Sequence, residues 1–167
     1  MKWFDRQFDF TIGTDQADAI CHRLRHTPAR LQQMLSHIPE DVLILKPGGK
    51  WSVKEHVGHL SVLEPLWRTR LADIGESKEI LTPADLDNKA TTEAGFNKYS
   101  ISALLDQFLK ERATTLTTLA GLNMRDDSKR SLHPRLQQHM RYVDHVWFVA
   151  EHDDHHVNTI REMIHHL

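Results

Sequence analysis

Two histidines four residues apart, His152 and His156, stand near the end of this 167-residue chain, within Ala150-Glu-His-Asp-Asp-His-His156. A helix turns by about 100° per residue, so the pair projects from one face on successive turns. Such a pair can hold one divalent ion. The metalloprotease form of the motif carries a glutamate base directly after its first histidine; this motif lacks that glutamate, Asp153 standing in its place. A third ligand has to come from another element, and His59, in Trp51-Ser-Val-Lys-Glu-His-Val-Gly-His-Leu60, is the best candidate. The competing reading is plain. With 13 histidines in the chain, some fall four apart by chance. They then form a solvated face, or core rings hydrogen-bonded to carboxylates or backbone.

The elements that would position these residues are helical. A pattern with helical spacing runs from about Arg135 to Ile164, its apolar stripe formed by Val143, Val146, Ala150, Val157 and Ile164. His145, Val149, His152, His156 and Met163 lie in a row beside that stripe, where a partner helix can reach them; His155 leaves about a third of a turn away. Ser52-Val-Lys-Glu55 reads as a capping box that opens a helix lasting to about Ile74, with Gly75 past its end. His56, His59, Leu63, Leu66, Trp67 and Leu71 lie on its inner arc, and Pro65 is expected to kink it.

Thr14 or Asp15 is expected to cap a first helix through Arg25, and Thr27-Pro28 to start a second one to about His37, so that Pro28 divides one long element in two. A fourth long pattern covers Ser100 to Ala120 and stops at Gly121. The first ten residues, with Trp3, Phe4, Phe8 and Phe10, read as an extended arm against the domain. Residues 76–99 and 123–134 read as irregular, and no credible strand is found. The expected fold is all-α: one domain over residues 1–167, a four-helix bundle of antiparallel helices with a long middle connection.

Composition narrows the classes. Net charge is −2 with histidines neutral, which gives no basic excess for nucleic acid. No run of 18 apolar residues suggests a membrane span. The single cysteine, Cys21, excludes an internal disulfide, and the N-terminus does not read as a signal peptide. The expected location is therefore the cytoplasm.

Lys50-Trp-Ser-Val-Lys-Glu-His-Val-Gly-His-Leu60, a long middle section, and then Phe148-Val-Ala-Glu-His-Asp-Asp-His-His156 together resemble the DinB/YfiT-like superfamily. The resemblance implies a four-helix bundle with a metal held by three histidines, carried here by His59, His152 and His156, with Trp51 opening the second helix. It implies a zinc or nickel ion with positions left for water or substrate. The reaction implied is transfer to a low-molecular-weight thiol or hydrolysis of a small-molecule substrate; the alternative is a non-catalytic module that binds metal or senses a ligand. A homodimer is a further expectation from bundles of this type.

The remaining candidates are weighed against blander roles. Glu64, Asp153 and Glu151 are available to orient the imidazoles. His56 is the rival to His59, either supporting a ligand, relaying a proton or simply packed; packing is favoured. His145 is a weaker rival ligand. His133, before Pro134, is expected to be solvated. Arg70 and Arg141 can bind an anionic substrate, although solvated arginines are commoner. Cys21, Trp51 and Trp67 are expected to pack.

Overall fold

The computed structural model describes residues 3–165. Among them are six helices: α1 (Ala17–Leu35), α2 (Glu40–Leu43), α3 (Val53–Gly75), α4 (Lys89–Thr92), α5 (Ile101–Ala120) and α6 (Tyr142–His165). The four long ones form a bundle. α3 packs on α5 and α6, and α1 packs on the same two. α1 therefore faces α3 across the bundle.

Contacts fix the directions. His56 meets His156 while Trp67 meets His145, so α3 and α6 run antiparallel. One core cluster joins Leu24 of α1 and Val143 of α6 to Leu71 of α3 and Leu119 of α5. The other joins Leu31 and Val157 to Val57 and Leu104. α1 and α6 thus point one way and α3 and α5 the other. Because α3 and α5 are parallel, the chain must cross the length of the bundle between them, and residues 76–100 do so. Phe96, on that crossing, lies flat against α3 at Gly58, where a Cβ would fall 2.4 Å from the ring; a side chain there would push the connection off.

α3 begins as its sequence requires. Ser52 Oγ accepts from the Glu55 amide at 3.2 Å, and Glu55 accepts from the Ser52 amide at 2.8 Å. It continues unbroken through Pro65.

Three expectations are corrected. First, Pro28 does not divide the first helix, which runs on from Ala17 to Leu35. A proline leaves the carbonyl four residues back without its amide. That carbonyl, on Leu24, accepts instead from Arg112 Nη1 at 2.9 Å. Second, a short antiparallel hairpin exists, β1 (Ser131–His133) with β2 (Gln138–Met140). Third, α6 starts at Tyr142 and not near Arg135. Strands of three residues are too short to show alternation, and Pro134 with Gln137 at φ 54° makes the turn between them. Leu81 and Leu132 then bond the middle connection to the hairpin, Leu81 N–H donating to Leu132 O at 3.0 Å.

Candidate metal centre

α3 and α6 bring three buried rings together. His59 comes from the first turns of α3, and His152 and His156 from the middle of α6. One ring nitrogen from each lies within 4.8 Å of the other two. His152 Nε2 and His156 Nε2 face one another at 3.2 Å. A proton on one, or a cation between both, satisfies such a pair. The ligand nitrogens of a tetrahedral ion with bonds of about 2.0–2.1 Å are spaced by about 3.3 Å, so the observed separation suits an ion.

The opposite nitrogens show how each ring is held. His59 Nδ1 lies 2.8 Å from Thr91 Oγ1, which leaves its Nε2 for the shared space. His156 Nδ1 lies 2.8 Å from His56 Nδ1. His56 thus sits behind a member of the triad rather than within it. His152 Nδ1 is buried with no hydrogen-bond partner among the described residues. Around the group are three tryptophans. The Trp51 ring is 4.7 Å from His59, the Trp67 ring 5.5 Å from His152, and the Trp3 ring 5.0 Å from His152. Trp3, from the N-terminal arm, closes one side.

Burial keeps these rings neutral. It pushes His59 down to about 3 and His56 down to about 4, with the neighbouring His56 and His155 respectively adding to the effect. His152 and His156 lie well below the ordinary histidine value, first from burial and then from the other rings. A neutral imidazole is the form that binds a metal. The donor set, three neutral nitrogens and no sulfur, fits an imidazole-tolerant ion such as zinc or nickel.

The triad forms part of the wall of a cavity of about 790 Å³. Other walls come from Trp67, Phe148, Arg70, His133 and Arg135. Among the described residues, no fourth histidine, cysteine or carboxylate joins the three, so the side facing the cavity is open.

Several candidates are placed differently from expectation. None of the three carboxylates orients an imidazole. Glu64 and Asp153 both grip Arg112, and Glu151 pairs with Arg6 and Arg23. His133 is buried, not solvated, with its Nε2 3.1 Å from Arg70 Nη1. Arg70 is likewise 1% exposed. His155 is half-buried and lines the same cavity, 5.3 Å from the His156 ring. His145 is buried against Trp67 O, apart from the triad. Arg141 is tied to Asp127 and Asp144 away from the cavity. Cys21 is partly buried against the core. Sequence reasoning missed Arg112, whose signal was a basic residue on the stripe of Leu104, Phe108 and Leu119. It also missed Thr91, in a segment with no periodicity to read.

A family model, the DinB superfamily, matches residues 23–166. Among solved structures, YfiT from Bacillus subtilis superposes with a TM-score of 0.80 at 20% identity, over 96% of this chain and 93% of that one. That protein is described as "a probable metal-dependent hydrolase with an unusual four-helix bundle topology". No curated protein matches the chain.

Proposed function

We propose that this chain, which belongs to the DinB superfamily, holds one zinc or nickel ion on His59, His152 and His156 and hydrolyses a small molecule beside it. One observation carries the reading: three buried neutral imidazoles converge on the wall of a large cavity, with no fourth protein ligand among the described residues. A structural metal site is closed by a fourth ligand, whereas a catalytic one keeps a position open. The description of YfiT as "a probable metal-dependent hydrolase" supports the same choice.

When bound, such an ion supplies a Lewis acid that activates water near neutral pH and polarises a carbonyl. The chain's own residues do the rest. Thr91 holds the His59 ring by its Nδ1, and His56 holds His156 in the same way. These contacts leave the far nitrogens aimed at one point, the part that carboxylates play elsewhere. Trp3, Trp51 and Trp67 exclude bulk water from the rings and give the substrate an apolar wall.

The test uses protein made without a histidine tag or nickel resin. One ion per chain, and turnover of a panel of esters and amides that EDTA abolishes and zinc or nickel restores, is the expected result. Turnover only when a small thiol is added would make the protein a transferase. Stoichiometric metal with no turnover of either kind would make it a binding module.

A further inference from the structure

The wall of the cavity formed by Arg70, His133 and Arg135 carries more hydrogen-bond donors than acceptors. Arg70 is 1% exposed, yet no carboxylate among the described residues forms an ion pair with it or with Arg135. The nearest acidic side chain on its helix, Asp73, is occupied by Lys78 and by the Thr82 amide. Arg70 Nε donates to Thr82 O at 2.8 Å and Nη1 meets His133, while Nη2 makes no hydrogen bond among the described residues. Arg135 Nη2 is buried and likewise without a partner.

His133 sharpens the imbalance. Burial, with the charges of Arg70 and Arg135 added, pushes it down to about 3, so the ring is neutral and has a single N–H. Its Nδ1 faces the amides of Arg135 and Leu136 at 3.3 and 3.2 Å, and its Nε2 faces Arg70. Donors therefore approach both nitrogens of a ring that can accept on only one. Burial also pushes Arg70 down to about 10, opposed by Asp73 and reinforced by Arg135, so it stays cationic at neutral pH. An unpaired buried cation is costly and is found where a counter-charge completes it.

The acidic residues on the cavity rim do not provide that charge. Asp85 is exposed and caps the amides of Asp87 and Lys89, and Glu162 is exposed. Trp67 bridges the arginine and the triad, its ring 5.6 Å from Arg70 Cζ and 5.5 Å from the His152 ring.

We propose that Arg70 and Arg135 form an anion subsite that holds the carboxylate of an apolar small-molecule substrate, with its reacting end directed towards His59, His152 and His156. The direction rests on the metal-site reading; the subsite itself does not. A guanidinium matches the planar, two-oxygen geometry of a carboxylate, Arg135 adds a second positive charge on the same cavity lining, and the aromatic walls match an apolar body.

The probes are benzoate, its isosteric neutral analogue benzamide, and phenyl phosphate, titrated by calorimetry into metal-loaded and EDTA-treated protein. Benzoate is expected to bind at least tenfold more tightly than benzamide in both preparations. Arg135→Gln and Arg70→Lys are each expected to weaken benzoate by about 10- to 100-fold, the range for a lost charged hydrogen bond, while Arg141→Gln changes nothing. Arg135 is less buried than Arg70, so its variant tests the subsite even where a change at Arg70 unfolds the chain. Equal binding of benzoate and benzamide, or indifference to both arginine variants, overturns the subsite. So does benzoate binding that vanishes with EDTA, which would place the carboxylate on the ion. Arginine-dependent binding of phenyl phosphate tighter than that of benzoate overturns the assignment of a carboxylate. Arginine-dependent benzoate binding by a protein that takes up no metal sustains the subsite and removes the hydrolase reading.

Discussion

Arg112 and Arg70 are both 1% exposed, and they occupy opposite kinds of surroundings. Arg112 crosses the centre of the bundle. It gives Nε and Nη2 to Glu64, Nη1 and Nη2 to Asp153, and Nη1 to Leu24 O, so every donor is used. Thr115 adds its hydroxyl to Glu64. One residue thereby ties α3, α5, α6 and the proline-interrupted turn of α1. Arg70 and the histidine triad, by contrast, have polar atoms left over and face a cavity. A closed polar cluster holds a fold together; an open one is built to be completed by something else.

The largest expected effect lies in the closed cluster. Arg112→Met leaves two buried carboxylates and the Leu24 carbonyl without their partner and should cost about 3–5 kcal/mol in denaturant melts. Adding Glu64→Gln and Asp153→Asn removes the stranded charges and should recover a large part. A loss below about 1 kcal/mol for the single variant would remove the distinction between the two clusters.

The open cluster should show itself in pH dependence. His56 is pushed down to about 4, and His59, His133 and His145 to about 3, with burial the leading cause in each. The unfolded chain takes up protons near pH 6.5 while the folded one does not. Stability of the EDTA-treated protein should therefore be level above about pH 7 and fall as pH drops below 6.5 towards these values. Each ring contributes up to about 1.4 kcal/mol per pH unit. A urea midpoint unchanged between pH 7.5 and 5.5 would mean that the rings are not held neutral.

Smaller effects separate support from ligation. His56→Ala removes the partner of His156 Nδ1 and should weaken metal binding by about 10- to 100-fold, measured by chelator competition. Arg23→Gln breaks partly buried pairs with Glu151 and Asp154, whose carboxylates keep Arg6 and Arg30 as partners. It should cost less than about 1 kcal/mol in denaturant melts and leave metal content unchanged.

Much of this was legible beforehand. The Ser52 cap, the Gly121 stop and the long apolar stripes placed α3, α5 and most of α6, because local chemistry sets helix ends. The spacing of His152 and His156, and the inward arc of His59, pointed to rings that the structure brings together. What escaped depends on distant partners. Pro28 reads locally as a break, and the partner that takes up its freed carbonyl, Arg112, lies far along the chain. The roles of Glu64 and Asp153 were hidden for the same reason: a carboxylate near a histidine in sequence points to no particular partner in space. His133 looked like a loop residue because three-residue strands leave no pattern.

Metal content separates a ligand triad from a histidine-rich helix face most directly. Wild-type protein, untagged and grown in defined medium with zinc and nickel, should carry one divalent ion per chain by mass spectrometry. His155→Ala should carry the same, since that ring lines the cavity without joining the triad, whereas His156→Ala should carry almost none. A wild-type protein without metal, or equal loading of His156→Ala and wild type, would contradict the site built from His59, His152 and His156.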